Sequence, residues 1–335
     1  MIKIVDVTPL AAVPGGTLSV RWAGKELRPF SRPCVHIGDV QAHLISTSPD
    51  LIVVQVPATV ASGDLWISCG GQESNRVHIE IAALLGTNLH PVANPALDMD
   101  GNLYTTLSGR RGEQVPNSIF KIDPSGTIQP FVSDLANPTG IAFNGYGEMF
   151  VSSRHDENIY KISPFGEKST YAKGMGVATG IAFDHDDNLY VGDRSGNIFK
   201  IDKKREIFVF ATLEPSVSAY HLAFDDEQNL YVTGHTTSSY DNAYKVAPDG
   251  NVSIFFSGLG RPQGLAFDVE SNLYVAASVA GRRGIIRISP DRKASIVVSG
   301  NNLVGLAFGY HQELYLTSND SVYKLNCGWV GRPLP

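Results

Sequence analysis

The stretch Gly180-Ile181-Ala182-Phe183-Asp184, followed closely by Asn188-Leu189-Tyr190-Val191-Gly192-Asp193, decides the fold because it recurs. Its first half returns as Gly140-Ile141-Ala142-Phe143, His221-Leu222-Ala223-Phe224, Gly264-Leu265-Ala266-Phe267 and Gly305-Leu306-Ala307-Phe308, with a worn copy at Asn94-Pro95-Ala96-Leu97. The six copies start at 94, 140, 180, 221, 264 and 305, a spacing of 40 to 46 residues. A regular period of this length marks a repeat architecture, in which each unit buries its apolar face only against its neighbours.

The second half returns as Asn102-Leu103-Tyr104, Asn229-Leu230-Tyr231 and Asn272-Leu273-Tyr274, with variants Glu148-Met149-Phe150 and Glu313-Leu314-Tyr315. A third phrase follows, of the type Ile159-Tyr160-Lys161-Ile162 or Val322-Tyr323-Lys324-Leu325, and most copies add a fourth apolar run such as Ser253-Ile254-Phe255-Phe256. These segments are short, β-branched or aromatic, and separated by turn formers such as Asp100-Gly101 and Asp249-Gly250, so they read as strands. Four strands per unit of about 40 to 45 residues is a propeller blade, and no run has the period of 3.6 that helical repeats need.

The last copy lacks a fourth strand, and a closed ring leaves no open edge. The segment near Ile81 to Leu85 is therefore expected to complete it. Upstream, runs such as Ile2-Lys3-Ile4-Val5-Asp6-Val7 and Leu51-Ile52-Val53-Val54-Gln55-Val56 alternate with period two. The expected organisation is all-β: a small immunoglobulin-like sandwich over residues 1–82 and a six-bladed β-propeller over 83–335.

The 335 residues carry 27 Lys plus Arg against 33 Asp plus Glu, a net charge of −6, with pI near 5.8. That balance speaks against a nucleic-acid partner, which calls for a clustered basic surface. No run of 18 apolar residues occurs, so no membrane-spanning helix is expected. The opening MIKIVDVTPLAAVPGG has no basic start, long apolar centre or small-residue cleavage site, so no secretory signal is read and the default compartment is the cytoplasm. Cys34 and Cys69 are near enough in sequence to pair, with Cys327 left over, although free thiols in a reducing compartment are the simpler expectation.

Val7-Thr8-Pro9, Pro14-Gly15-Gly16-Thr17, Val56-Pro57 and Ser62-Gly63 together resemble an IPT/TIG domain. The repeated phrases resemble NHL repeats, and are similar to the wider six-bladed class that includes the senescence marker protein/gluconolactonase hydrolases. That second resemblance implies a divalent cation at the top of the central channel, held by carboxylate and amide side chains, two of them just before the inner-strand glycine. The matching positions here are Ala93, Thr139, Thr179, Tyr220, Gln263 and Val304, and none is a carboxylate. No metal site is expected, and a divalent cation enters only if the chain is such an enzyme. Streptogramin lyases resemble the chain at the level of the repeat but rely on inner His and Glu residues, and only His221 is placed comparably in this sequence.

Acidic turns follow the first strand of most blades, with Asp98, Asp184, Asp225 and Asp268 leading them. They lack the ligand set of a calcium loop, and Asp, Asn and Gly serve tight hairpins well, so a turn role is expected. The loops on the opposite face carry Arg110, Arg111, Arg154, His155, Arg194, His235 with Tyr240, and Arg282-Arg283. Arg154, His155, Arg194, Tyr220, His221, His235 and Gln263 are the candidate ligand-binding residues. His221 replaces the glycine of four other copies, so its side chain either fills the channel or faces what occupies it. No G-x-S-x-G elbow, phosphate loop or dinucleotide fingerprint is present.

Two functions fit this pattern. One is a non-catalytic binding module that presents its loops to a protein or carbohydrate partner. The other is a gluconolactonase-like hydrolase or streptogramin-lyase-like enzyme at the channel mouth, with His221 and Tyr220 as candidate catalytic residues and Arg154 or Arg194 for an anionic group.

Overall fold

The computed structural model describes residues 2–24, 32–107, 109, 115–238 and 240–332. Arg110 and Arg111 lie outside these described residues. All regular structure in the described part is β.

Six sets of four antiparallel strands follow one another among the described residues, five as separate four-stranded sheets and the fifth in chain order as part of a ten-stranded one. Blade 3, the clearest copy, runs Ala178–Phe183, Leu189–Asp193, Asn197–Ile201 and Ile207–Thr212. The inner strands of successive blades touch, from Ala96–Leu97 through Pro138–Phe143, Ala178–Phe183, Tyr220–Phe224 and Leu265–Phe267 to Leu303–Phe308. A Cβ on Gly305 would lie 2.4 Å from the Ala93 carbonyl oxygen, so the last inner strand abuts the first and the ring is closed. As expected from the missing fourth strand, Ala83–Gly86 pairs antiparallel with Val322–Asn326 and supplies the outer strand of blade 6.

The repeated aromatic residues hold blade to blade. Tyr190 of the second strand in blade 3 meets Phe210 of its own outer strand and Phe224 of the next inner strand, both edge-on at about 5 Å. Tyr231 does the same with Phe255 and Phe267, and Phe150 with Tyr171 and Phe183. In blade 5 the partner of Tyr274 beyond Phe308 is Trp329, from the segment after the last strand. Edge-to-face pairs of this kind add about 0.5–1.5 kcal/mol each beyond the area they bury. The tyrosine hydroxyls donate to the acidic turns, Tyr104 to Asp98, Tyr190 to Asp184 and Tyr274 to Asp268. The asparagine four residues on donates its backbone N–H to the other oxygen of each carboxylate and its side-chain amide to the oxygen that the tyrosine uses. The acidic turns thus use their carboxylates as hairpin acceptors, which accounts for the Asp…Asn…Tyr spacing.

Upstream of the ring, the sheet of Ile2–Thr8, Thr17–Gly24, Leu51–Gln55 and His43–Thr47 faces a second one built on Val77–Ile81, Gly63–Cys69 and Cys34–Ile37. One apolar core, including Leu18, Val20, Ile37, Ile52, Leu65, Ile67 and Ile79, fills the space between them. No disulfide joins Cys34, Cys69 and Cys327.

The two-residue strand Ala11–Ala12 was not anticipated. It pairs in parallel with Val77–Ile81 on one side and with the outer strand Ala294–Ser299 of blade 5 on the other, so one sheet runs without a break from blade 5 into the upstream sandwich. Ser299 clamps the junction: its carbonyl accepts from Val13 N–H at 2.9 Å and its hydroxyl from Thr17 N–H at 2.8 Å.

Candidate functional site

Where the inner strands begin, the hub is too crowded for side chains. A Cβ on Gly140, Gly180 or Gly264 would come within 2.8, 2.3 and 1.9 Å of a neighbouring atom, distances real Cβ atoms do not reach. Two blades on opposite sides of the ring depart from glycine there, blade 1 with Asn94 and blade 4 with His221. Asn94 crosses to its neighbours, donating to the Leu265 carbonyl at 2.9 Å and accepting from Leu306 N–H at 3.0 Å. It thereby ties blades 1, 5 and 6 together. His221 is 3% exposed, and its ring makes no hydrogen bond among the described residues. Burial alone pushes its pKa down to about 4, so the imidazole is neutral near pH 7.

Beyond this constriction the hub widens into a cavity of about 170 Å³. Its walls are the inner-strand residues Ile141, Ala142, Ile181, Ala182, Leu222 and Ala223 and their equivalents, and a ring of phenylalanines, Phe143, Phe183, Phe224, Phe267 and Phe308, surrounds its outer part. Asn94 and His221 are its polar lining at the constricted end. His185, Asp225 and Arg332 line it at the end where the acidic turns lie.

Arg332 arrives there on the segment that follows the last strand. Val269 N–H donates to the Val330 carbonyl and Arg332 N–H to the Phe267 carbonyl, at 3.0 Å each, which lays the segment along blade 5. The guanidinium sits over the Phe267 ring at 5.2 Å, pairs with Asp226 at 3.3 Å and donates to Ser271 Oγ at 3.1 Å, all three holding it in place. Its other terminal nitrogen, Nη1, is buried without a hydrogen-bond partner. A buried donor left unsatisfied costs about 1–3 kcal/mol. Asp225 is already satisfied by Asn229 and Lys245.

The candidate residues read from the sequence divide between the two faces. Only His221 lines this cavity. The adjacent Tyr220 packs in the core between blades 3 and 4, its hydroxyl donating to the Glu214 carbonyl, and burial first of all raises its pKa. It is a packing residue here. In an antiparallel blade the loop from second to third strand lies beside the start of the inner strand, so Arg154, His155, Arg194 and His235 occupy the face opposite the cavity mouth. Arg194 caps the Val217 carbonyl at 2.7 Å, and His155 is exposed. His235 Nδ1 meets Asp241 at 2.9 Å, and Asp241 also accepts from Thr236 N–H and Oγ1. Burial would raise the Asp241 pKa, but these hydrogen bonds outweigh it and hold the carboxyl low. Gln263 lines a separate cavity on that same face. Asn94 was missed although it breaks the glycine pattern just as His221 does. Arg332 carries no signal in sequence, because only the path of the chain brings it to the hub.

The rim positions Ala93, Thr139, Thr179, Tyr220, Gln263 and Val304 do not fit a hard divalent cation, which needs several oxygen donors with charge among them. Thr179 Oγ1 is spent on the Gly192 carbonyl and Thr139 Oγ1 faces the Asn137 carbonyl. No cluster of three His, Cys, Asp or Glu side chains able to hold a metal occurs among the described residues.

With this geometry in view, the comparisons with known proteins fall into place. A family model described as a beta-propeller repeat matches residues 210–241. The fold is that of the propeller proteins. A putative gluconolactonase superposes with a TM-score of 0.62 at 16% identity, over 75% of this chain and 93% of its own. An auxiliary nutrient binding protein from Bacteroides thetaiotaomicron superposes with a TM-score of 0.60 at 13% identity, over 97% of both chains. Virginiamycin B lyase from Staphylococcus aureus superposes at 0.54 and 15% identity, over 88% of this chain and 99% of its own. No curated protein matches the chain. No helix is long and apolar enough to cross a membrane.

Proposed function

We propose that the protein is a non-catalytic ligand-binding propeller, and that the ligand is a small, uncharged, ring-sized molecule seated in the hub cavity. The observation that carries this is the cavity itself: apolar walls, a constricted end plugged by Asn94 and His221, and one buried unsatisfied donor on Arg332 near the other end. A dry cavity of about 150 Å³ with such walls takes up benzene, so one ring fits here. The Arg332 donor favours an oxygen acceptor on the outer end of that ring. Because Arg332 is already paired with Asp226 and Asp225 lies beside it, a carbonyl or ether oxygen suits the mouth better than a carboxylate. Likeness of fold to a nutrient binding protein over nearly the whole chain is in keeping with a binding role.

The enzyme alternative, a gluconolactonase-like hydrolase or streptogramin-lyase-like enzyme, finds less support. A histidine with its pKa near 4 is a weak base at neutral pH. The other ionisable groups of the cavity, His185, Asp225 and Arg332, lie toward its opposite end. The protein or carbohydrate partner expected from the sequence belongs on the far loops, taken up below. Within this reading residues 1–82 form an IPT/TIG-type immunoglobulin-like unit and 83–335 the NHL-type propeller. The two facing sheets with one core upstream, and the six repeats downstream, support that division.

The test is ¹⁹F NMR titration with fluorobenzene and 4-fluoroacetophenone. Both bind the native protein, the ketone more tightly, by about tenfold. Arg332→Gln removes the advantage of the ketone and Ala223→Phe removes both, with thermal melts confirming that the variants fold. Absence of binding by either probe overturns the proposal, and so does lactone or ester hydrolysis that His221→Ala abolishes.

A further inference from the structure

A second cavity, of about 210 Å³, opens on the face that carries the strand-two to strand-three loops, between blades 5 and 6. It shares no lining residue with the hub cavity. Its walls come from four connections. Gly260, Arg261 and Gln263 lie on the crossing from blade 4 to blade 5, and Ser278 and Arg283 flank the hairpin of blade 5. Asn302 lies on the crossing from blade 5 to blade 6, and Asn319 on the hairpin of blade 6.

What distinguishes this cavity is its charge and its unused hydrogen-bonding capacity. Neither Arg261 nor Arg283 makes an ion pair among the described residues, and no carboxylate lines the cavity. Arginines on a protein surface usually lean on a nearby acid; here two line one concavity that offers them none. The side-chain amides of Gln263, Asn302 and Asn319 likewise make no hydrogen bond among the described residues. Arg261 is held in the left-handed region at φ 49°, an uncommon conformation for a residue other than glycine, and its backbone there joins the loop that lines the site.

We propose that this cavity binds a sugar acid, with the carboxylate taken by Arg261 and Arg283 and the ring hydroxyls by the three amides. A guanidinium presents paired donors that match a planar carboxylate, and such charge-assisted pairs are the strong ones. Gln263, Asn302 and Asn319 each offer a donor and an acceptor, which pairs with hydroxyl groups but sets carbonyl oxygens against a compact dianion such as phosphate. The volume is many times what a single water or ion needs, so the site is built for a polyhydroxylated body with an acid group attached. The proposal stands apart from the hub reading: either is true or false without the other.

Isothermal titration with glucuronate, its methyl ester and inorganic phosphate decides it. Glucuronate binds the full-length protein, the ester at least about tenfold more weakly because the charge is gone, and phosphate no better than the ester. Arg283→Gln and Arg261→Gln each weaken glucuronate by about tenfold or more, and Arg283→Lys, which keeps the charge but loses the fork, also weakens it. Both arginines are exposed, so these variants fold, as melts on the same samples verify. Equal affinity for acid and ester, tighter binding of phosphate, or arginine variants within twofold of native each overturns the proposal, as does an absence of glucuronate binding. Loss of fluorobenzene binding in the hub with glucuronate binding intact, or the reverse, tells failure of one site from failure of the other.

Discussion

His221 stands where four other blades carry glycine, and its imidazole has been taken out of water without a hydrogen bond among the described residues to replace what it lost. The thermodynamic sign follows from the shift. Burial lowers the folded-state pKa to about 4 from an ordinary 6.5, so below pH 6.5 the unfolded chain takes up a proton that the folded protein refuses. Stability is therefore full above pH 6.5, falls as the pH drops toward 4, and levels off below that. Between pH 7 and 4.5 the loss amounts to about 2–3 kcal/mol from this one group. Chemical denaturation of native protein and His221→Gln at the two pH values checks it: the variant should lose less by about that amount, and parallel losses would place the acid sensitivity elsewhere. Position 221 was conspicuous in the sequence because it broke a pattern. What the pattern did not give was direction, since alternation along a strand sends Tyr220 and His221 to opposite sides and either one could have faced the axis.

At the level of the strand and its turn, the repeat phrase has a mechanical meaning. The tyrosine of Asn-Leu-Tyr clasps the next blade through phenylalanine and anchors its hydroxyl on the aspartate of its own turn, while the asparagine satisfies the same carboxylate. Tyr190→Phe keeps the ring contacts and removes one hydrogen bond, for a loss of about 1 kcal/mol. Tyr190→Leu removes the clasp as well and costs about 2–4 kcal/mol. Urea unfolding of the two variants separates the contributions, and equal losses would show that the ring contacts add nothing. This is why the fold was legible: strand number, blade count and the borrowed outer strand all follow from local pattern repeated six times. The site was legible only in part. Asn94, Arg332 and Ala11–Ala12 do their work through contacts with residues 171, 61 and 287 or so positions away, and a single sequence carries no trace of such meetings when the residues are not part of the repeat.

For the whole molecule, the unbroken sheet from blade 5 into the upstream sandwich makes the two parts one hydrogen-bonded body along that edge. Removing residues 1–82 strips the cover from the outer strand Ala294–Ser299, leaving unpaired backbone groups of the kind that recruit another strand. The truncated protein should melt at a lower temperature and associate as its concentration rises, which light scattering coupled to gel filtration measures; a monomer as stable as the full chain would mean that the junction is incidental. Ring closure also carries a consequence for biosynthesis. The outer strand of the final blade, Ala83–Gly86, leaves the ribosome long before its partner Val322–Asn326, and Arg332 emerges later still. A nascent chain therefore waits, with one strand unmated, until Val322–Asn326 has been made. A product that stops short of residue 322 lacks the arginine at the hub and keeps an open seam, exposed to proteases that the finished circle excludes.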